Sequence, residues 1–179
     1  QFNVRETDYG LLVGARREHD DANYYWRITQ YLTPSYTMIP TQPGFPVSFT
    51  GAVPLDDQHM WGYTVTWHPD RPLTTEEVAA IESWKGVSTE NLPGSFETVL
   101  NKENDYKIDR ELQRTTSFTG IRGIREQDLA VQEDQWGPIT DRTREHLGTT
   151  DLAVIAMRRK LLRQIEDLEQ GIEPAEVSD

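Results

Sequence analysis

Residues 23–32, NYYWRITQYL, decide the fold class because their side chains alternate along the whole stretch. The two alternating sets are Tyr25, Arg27, Thr29 and Tyr31, and Tyr24, Trp26, Ile28 and Gln30. A period of two residues that is rich in aromatic and β-branched side chains predicts a β-strand. Because polar and apolar residues are mixed, one face of this strand is predicted to be exposed to water.

The same pattern continues on both sides of this stretch. Phe2 and Val4 alternate with polar neighbours, residues 11–15 are a short apolar run, and residues 59–67, HMWGYTVTW, are again β-branched and aromatic. Residues 2 to about 67 are therefore predicted to form antiparallel strands joined by turns. Four prolines between residues 34 and 46 predict a loop or an edge strand there, not a central strand.

Helical signals follow the strands. Residues 73–84, LTTEEVAAIESW, predict a short helix capped by Thr74 or Thr75 and ending near Trp84. A second helix-like run begins at about Arg125. Residues 101–118, NKENDYKIDRELQRTTSF, are polar and mixed, and they predict a loop that passes over a functional face.

The last helix has the clearest pattern. It is predicted to begin with a cap at Thr150 and to end before Gly171. The basic residues 158–160 are predicted to lie on a solvated face. Its apolar positions recur at helical spacing and predict packing on the sheet: Val154, Met157, Leu161, Ile165 and Leu168. Strands first and helices last predict an α+β fold.

Composition limits the classes of partner. Eighteen basic against thirty acidic residues give a net charge of −12, which argues against nucleic acid as a partner. The sequence contains no apolar run of the roughly 20 residues that a membrane helix needs, so no membrane partner is expected. The absence of cysteine excludes a thiolate nucleophile and Cys-ligated metal sites within the chain, and it fits the cytoplasm. Because the strand pattern starts at once after Gln1, the chain is expected to be the C-terminal part of a longer protein.

Few patterns could support chemistry. The four histidines, His19, His59, His68 and His146, show no H-x-x-x-H spacing, so a complete His-based metal site is not expected within the chain. No G-x-S-x-G or phosphate-binding glycine motif supports a hydrolase or a kinase. The acidic residues of the helix-like run after Arg125 remain. Solvated helix charges are the general explanation for such residues.

Several motifs in order make a more specific signal. They are NDYKIDRELQ (104–113), FTGIRGI (118–124), QDLAVQE (127–133), GPITDRTREHLG (137–148) and TDLAVIAMRRKLL (150–162). Together they resemble the C-terminal region of Rieske non-haem iron oxygenase α subunits, in the branch of phthalate dioxygenase and the aromatic O-demethylases. The likeness spans nearly the whole chain, since TDYGLLVGARR, YYWRITQYLTPSY and VPLDDQHMWGYTV also resemble that family.

The resemblance implies a fold and two cofactors. The fold is the helix-grip (START/Bet v1-like) catalytic domain, with an antiparallel sheet and C-terminal helices, and residues 1–179 would be the C-terminal part of that domain. The cofactors are a mononuclear Fe(II) on two His and one carboxylate and a [2Fe-2S] Rieske cluster. Neither the Rieske domain nor the helix with the two iron histidines is present in residues 1–179, so this segment alone is expected to be inactive.

The resemblance also implies individual site residues. Within QDLAVQE, Asp128 matches the iron-ligating and catalytic carboxylate. Asp134 is the alternative ligand, because the family's motif is shorter by one residue after Glu133, and Glu133 is the third candidate. His59 resembles a strand histidine that lines the substrate pocket of O-demethylases, although a histidine that bonds only to a neighbour is an equally good interpretation.

Further residues have less specific predicted roles. Three residues are candidates for the same functional face: Asn101, Asn104 and Gln113. The segment DRTREHLG is predicted to hold a polar cluster that fixes a helix junction, made by Arg142, Glu145 and His146. An arginine would bind a carboxylated ring, and the candidates are Arg16, Arg17 and Arg27.

The implied activity is oxygenation of an aromatic compound, by ring hydroxylation (dioxygenase) or O-demethylation (monooxygenase), in aromatic catabolism. The implied partners are the aromatic substrate, O₂, a reductase or ferredoxin that delivers electrons from NAD(P)H, and further copies of the subunit in a homotrimer or a multiple of it. A competing hypothesis is a non-catalytic helix-grip module that binds an apolar or aromatic ligand, and another is a segment that serves only trimer assembly. The match in QDLAVQE favours the oxygenase, since a carrier has no use for it.

Overall fold

The computed structural model describes residues 1–83, 88–133 and 137–174. The chain divides into two compact units. Unit 1 combines Gln1–Arg71 with Arg144–Asp179, and unit 2 is Pro72–Thr143. The helices are α1 (Thr75–Glu82), α2 (Arg110–Thr115), α3 (Ile124–Glu133) and α4 (Leu152–Glu169). No helix within these ranges combines the length and the apolar character needed to cross a membrane.

Unit 1 is built on a six-stranded sheet in which each strand pairs antiparallel with the next along the chain. The strands are β1 (Phe2–Thr7), β2 (Gly10–Glu18), β3 (Tyr24–Leu32), β4 (Tyr36–Ile39), β5 (Val47–Pro54) and β6 (Met60–Trp67). This sheet with the helices that follow confirms the predicted α+β class and is consistent with a helix-grip domain.

The prediction for the proline-rich stretch was correct for residues 40–46, which form a loop, and wrong for Tyr36–Ile39, which form β4. β4 lies between β3 and β5 and pairs with both strands, so it is a central strand. The reason is the position of the prolines. Pro34 and Pro40 flank β4 without entering it, so each of its four residues keeps a backbone N–H for pairing.

The two faces of the sheet differ. Leu11 is fully buried and lies opposite Tyr31 and Glu6 on neighbouring strands, so these residues share one face, which we call the helix face. α4 contacts β1, and Arg163 of α4 bonds to both carboxylate oxygens of Glu6 at 2.8 and 2.9 Å. The predicted contact of the last helix with the sheet is therefore confirmed, but Ile165 and Leu168, two of the five residues predicted to make it, are 53% and 57% exposed.

The opposite side is the aromatic face. Its central residues are Tyr36, Phe49, Tyr63 and Trp67, whose rings pack edge to face with centroids 5.8–6.3 Å apart. Towards the other end of this face, the Arg16 guanidinium lies 4.1 Å from the centre of the Tyr24 ring. These contacts come from alternate residues of the strands, as the period of two requires.

The two ends of α4 agree with the sequence-based prediction, whereas the surroundings of its basic residue Arg158 do not. It follows a 3₁₀ turn at Thr149–Asp151, and Gly171 adopts a positive φ of 77° just after it. The prediction of a solvated face for residues 158–160 was wrong for Arg158, whose guanidinium bonds to both carboxylate oxygens of Glu145 at 2.6 and 2.9 Å. This pair raises the pKa of Arg158 through the hydrogen bonds to Glu145.

Unit 2 is helical. α1 begins at the predicted cap, where Thr74 and Glu77 form a reciprocal capping box. Trp84, the predicted end of this helix, lies outside the described residues. The predicted loop at 101–118 is instead a 3₁₀ segment at Lys102–Lys107 followed by α2. α2 forms because the Asp109 carboxylate accepts hydrogen bonds from the backbone N–H groups of Glu111 and Leu112, which provides the cap that a polar sequence needs.

Candidate functional site

Asp128 lies in the middle of α3, within the predicted helix. Its side chain is exposed, and within residues 1–83, 88–133 and 137–174 it has no hydrogen-bond or ion-pair partner. Val131, one turn further on, is also exposed, with 64% of its surface accessible. A free carboxylate beside an exposed apolar side chain is available to bind a cation and is not needed for stability.

Asp128 fits one position of a mononuclear iron site. An ionised carboxylate without a counter-charge is a suitable oxygen ligand for the 2-His-1-carboxylate arrangement. The described residues contain no group of three or more His, Asp or Glu side chains that could hold a metal ion. This chain therefore fits as the donor of a single ligand, and the two histidines would have to come from other residues.

The two alternative ligands differ. Glu133 is the last residue of α3, and its carboxylate accepts a hydrogen bond from the hydroxyl of Tyr106. Asp134 lies outside the described residues. Of the two candidates within the described residues, only Asp128 has a carboxylate with no protein partner, so Asp128 remains the preferred prediction.

Glu126, in the first turn of α3, is a residue that sequence reasoning missed. It is buried, with 5% of its surface accessible, and its Oε2 has no hydrogen-bond partner among the described residues. The carboxylate folds back over Gly123, at the position that a side chain there would occupy. An acidic residue in a first turn is generally explained by the helix dipole, so the sequence offers no signal that distinguishes it.

The NDY motif forms a compact polar structure in unit 2. Asn101 donates to the backbone carbonyl of Thr98 at 3.1 Å, and Asn104 donates to that of Val99 at 2.8 Å. The Asn104 side chain also accepts the backbone N–H of Asn101 at 3.2 Å. Both asparagines therefore hold the local backbone in place.

Gln113, the third residue predicted with them, has a similar role in α2. Its side chain accepts a hydrogen bond from Arg110 at 2.9 Å and donates to the carbonyl of Phe118 at 3.4 Å. The first contact joins neighbouring turns of α2, and the second ties α2 to the segment that follows it. The polar atoms of Gln113 are thus engaged with its own surroundings.

His59 lies in the turn between β5 and β6, immediately before β6 begins. Its Nδ1 is 2.9 Å from both carboxylate oxygens of Asp56, and its side chain is 70% exposed. The pKa of Asp56 is lowered, first by the hydrogen bond from the backbone N–H of Gln58 and then by that from the imidazole. A substrate role for His59 stays a prediction.

The strand register separates the three candidate arginines. Arg27 pairs with Ala15 and Arg17 pairs with Tyr25, which places both arginines on the helix face, whereas Arg16 lies on the aromatic face. Arg17 and Arg27 are diagonal neighbours, and neither has an ion-pair partner within the part of the chain that the structure describes. They could bind a carboxylate together.

A cavity of about 260 Å³ lies at one end of the aromatic face. Its walls include Ile28, Met38, Phe45 and Val47, and no Lys or Arg lines it. His68, also in the wall, donates from Nε2 to the carbonyl of Gly44 at 3.2 Å and accepts the backbone N–H of Asp70 on Nδ1 at 3.1 Å. The wall also holds Gln30, Thr41, Gln42 and Asp70, so this cavity of mixed polarity suits an uncharged molecule better than an anion.

The predicted polar cluster of Arg142, Glu145 and His146 does not form, because no hydrogen bond joins these three side chains within the described residues. Glu145 binds Arg158 of α4, as predicted for a residue that fixes the conformation of a helix junction. His146 instead contacts the carbonyl of Arg144 through Nδ1 at 2.9 Å. Arg142 lies in a separate 3₁₀ turn at Arg142–Arg144.

Comparison with known proteins identifies the class. Residues 1–179 match the family described as "LigXa C-terminal domain like", so the chain belongs to this family. The match covers the sheet, α1 to α4 and every motif quoted above. The class is therefore defined by the whole chain and not by one short motif.

Particular relatives refine this result. The chain is 31% identical to the phthalate 4,5-dioxygenase oxygenase subunit of Pseudomonas putida, over 96% of this chain and 39% of the relative. It is 30% identical to the 3-chlorobenzoate-3,4-dioxygenase oxygenase subunit of Comamonas testosteroni, over 92% of this chain and 41% of the relative. It is 26% identical to the 5,5'-dehydrodivanillate O-demethylase oxygenase subunit of a Sphingobium species, over 97% of this chain and 34% of the relative. The predicted resemblance to this branch is confirmed. The chain spans between 34% and 41% of the length of these relatives.

Proposed function

We propose that residues 1–179 are the C-terminal part of the mononuclear-iron catalytic domain of a Rieske-type oxygenase that acts on an aromatic substrate with O₂. The observation that carries the proposal is Asp128 in the QDLAVQE segment of α3, an exposed carboxylate that has no partner within residues 1–83, 88–133 and 137–174. Membership of a family whose matched relatives are named as oxygenase subunits supports it.

Asp128 supplies the carboxylate ligand in this proposal. When bound, mononuclear iron would provide oxygen activation at coordination positions left open beside the substrate. The two histidine ligands and the [2Fe-2S] cluster would belong to residues outside this segment, with electrons arriving from NAD(P)H through a reductase or ferredoxin. The segment alone is then inactive, and the complete subunit works as a homotrimer in the cytoplasm, where NAD(P)H is available.

The substrate class is an aromatic carboxylate. Two of the relatives are named for phthalate and 3-chlorobenzoate, and each of these compounds combines a ring with a carboxylate. Arg17 and Arg27 are the residues that would recognise the carboxylate, because both lie on the helix face and neither guanidinium has an ion-pair partner among the described residues. His59 would contact the substrate from the turn before β6. Both ring dioxygenation and O-demethylation are compatible with these residues.

The test uses the full-length protein that contains this segment. Asp128→Ala should deplete mononuclear iron and abolish substrate oxygenation, while the visible absorbance of the Rieske cluster stays unchanged. Asp134→Ala and Glu133→Gln are the matched variants, and both should keep their iron, since glutamine at 133 still accepts the Tyr106 hydrogen bond but removes the carboxylate. If one of these two variants loses iron and Asp128→Ala does not, the iron ligand is the residue changed in that variant and not Asp128. Iron and turnover retained in all three would refute the proposal.

A second function is favoured by one observation. The cavity beside His68 is large enough for a single aromatic ring, as a non-catalytic module that binds an aromatic ligand would require, and it lies on the aromatic face, away from α4. Calorimetric titration with an uncharged aromatic compound tests this alternative. Binding that Val47→Trp blocks, together with unchanged iron in Asp128→Ala, would establish the binding module in place of the oxygenase.

A further inference from the structure

We propose that Tyr106 is a positioning residue that fixes α3, and with it Asp128, through a hydrogen bond to Glu133. This inference rests on the proposed function, since it assigns Tyr106 a role in orienting the iron ligand. It links two motifs that the sequence presents separately, because Tyr106 belongs to NDYKIDRELQ and Asp128 and Glu133 both belong to QDLAVQE.

The first argument is the conformation of the segment around Tyr106. Asp105, Tyr106 and Lys107 have φ angles of 53°, 49° and 46°, so three consecutive non-glycine residues adopt the left-handed conformation. Side chains with a Cβ disfavour this region, and such runs persist only where the surrounding structure enforces them. The chain therefore maintains an unfavourable backbone at this place.

The second argument is that neighbouring polar groups hold this backbone. The N–H of Tyr106 donates to the carbonyl of Asn101 at 3.0 Å, and the N–H of Ile108 donates to that of Asp105 at 3.1 Å. The Asn104 side chain braces the start of the segment, where it accepts the N–H of Asn101 and donates to Val99. These bonds stabilise the left-handed turn and leave the Tyr106 ring directed into unit 2, where it is 6% exposed.

The third argument is the partner of the hydroxyl. Glu133 lies in the last turn of α3, which carries no basic residue. The helix dipole makes a carboxylate unfavourable in that position, so a hydrogen-bond donor there stabilises it. The Tyr106 hydroxyl is such a donor, and it comes from the 3₁₀ segment that contacts α3.

The fourth argument is the rigidity of the helix. Asp128 precedes Glu133 by five residues, which corresponds to about 7 Å along the helix axis. A helix held at its end by a buried side chain rotates and shifts little at that distance. Groups that bond directly to a metal ligand change metal affinity by about 10- to 100-fold when they are lost, so a contact that acts on Asp128 through the helix is expected at the lower end of this range.

The experiment compares Tyr106→Phe with Tyr31→Phe in the full-length protein. Tyr31 is the matched control, because it is also buried and its hydroxyl also donates a hydrogen bond, to the carbonyl of Pro34 in unit 1. Two properties besides turnover are measured: the rate of iron release to a ferrous chelator, and the electron paramagnetic resonance spectrum of the ferrous site treated with nitric oxide.

We expect Tyr106→Phe to accelerate iron release about tenfold and to change the resonance spectrum, whereas Tyr31→Phe changes neither property. Glu133→Ala should reproduce the effect of Tyr106→Phe. Glu133→Gln should retain most of the native behaviour, because its amide oxygen still accepts the hydrogen bond. If Tyr106→Phe does not fold, Glu133→Ala decides alone, since its exposed position tolerates truncation.

The outcome separates this inference from the proposed function. If Asp128→Ala loses iron but Tyr106→Phe and Glu133→Ala behave like Tyr31→Phe, the positioning role is wrong and the iron ligand stands. If Asp128→Ala retains iron, the ligand assignment itself fails, and the positioning role fails with it.

Discussion

Gly120, the first glycine of FTGIRGI, lies against the backbone that caps α2. Its φ is +70°, and a Cβ atom there would be 2.5 Å from the carbonyl oxygen of Asp109. Its own carbonyl accepts the N–H of Asp109 at 3.0 Å. Only glycine combines this positive φ with so close an approach to the Asp109 carbonyl oxygen, because that oxygen belongs to the backbone and cannot rotate away from a Cβ atom.

We therefore expect Gly120→Ala to lower the free energy of unfolding by about 2 to 4 kcal/mol, from the left-handed conformation and the steric clash together. Gly94→Ala is the control in the same unit, since Gly94 has a φ of +72° and a Cβ added there would meet nothing within 4 Å. It should cost about 1 kcal/mol. Urea unfolding of both variants measures the difference, and equal losses would contradict the close contact with Asp109.

The Asp56 carboxylate contacts the imidazole of His59 in the turn before β6. Its pKa is held below the ordinary value for Asp, mainly by the N–H of Gln58 and secondly by the imidazole of His59. A lowered folded-state pKa means that the contribution to stability is present above the unfolded pKa and is lost as the pH falls through the folded pKa. The turn before β6 should therefore loosen only in acid, below the usual titration range of Asp.

Carbon-13 NMR titration of the Asp56 carboxyl group tests this assignment. His59→Ala should raise the Asp56 pKa only part of the way to its ordinary value, because the larger cause, the backbone N–H of Gln58, remains. A full return to the ordinary value would show that the imidazole dominates. No change at all would show that the contact between His59 and Asp56 does not form in solution.

At the scale of elements, two ion pairs anchor α4 with different exposure. Arg158 and Glu145 are 30% and 27% exposed and bond through two nitrogens, whereas Arg163 and Glu6 are 57% and 54% exposed and bond through one. Bidentate, partly buried pairs lose less to screening by water than exposed pairs do.

Double-mutant cycles with alanine should therefore give a coupling of about 1 to 2 kcal/mol for Arg158 with Glu145. The coupling of Arg163 with Glu6 should be below about 0.5 kcal/mol. The measurement is urea unfolding, repeated at about 0.5 M salt, where the weaker coupling should disappear first. A stronger coupling for the exposed pair would contradict this order.

Local patterns predict the elements whose signals are local. Alternation predicted β1 and β3, the apolar run at 11–15 predicted β2, the β-branched and aromatic residues 59–67 predicted β6, and Thr74 predicted the start of α1. β5 had no signal of its own. β4 was missed because its neighbours across the sheet decide its pairing, and two flanking prolines concealed a four-residue strand. α2 was missed because the Asp109 cap acts on a six-residue helix that is too short to show periodicity.

The candidate site was predictable only in part. The resemblance selected Asp128, and the structure places it on an exposed side of α3. The contact of Tyr106 with Glu133 joins residues 27 positions apart through a left-handed turn of non-glycine residues, which no sequence pattern indicates. The burial of Glu126 is also not indicated by any sequence pattern, since it requires the space over Gly123 that a side chain there would fill. Burial of polar side chains is a tertiary property, and it appears only when the fold is known.

At the scale of the whole molecule, the aromatic face leaves apolar side chains accessible to water. Ile28 and Val65 are each 42% exposed, and Trp26, Trp61 and Tyr24 are also exposed on alternate positions of the same face. Contiguous apolar surface of this kind generally marks an interaction surface, and in an isolated chain it promotes association.

Residues 1–179 expressed alone should therefore bind the dye 8-anilinonaphthalene-1-sulfonate more strongly than an equal concentration of the full-length protein. The isolated chain is also expected to show no oxygenation of aromatic carboxylates, since it supplies one ligand of the proposed site.

Ile28→Thr combined with Val65→Thr should reduce the dye fluorescence, because threonine keeps a β-branched shape suited to the strand while adding a hydroxyl group. The matched control is Ile165→Thr with Leu168→Thr on α4, which removes two exposed apolar side chains elsewhere in unit 1. If the control reduces the fluorescence and the sheet variant does not, the dye binds at the exposed end of α4 and not at the aromatic face. If the isolated chain binds no more dye than the full-length protein, the aromatic face is not an interface in the complete subunit.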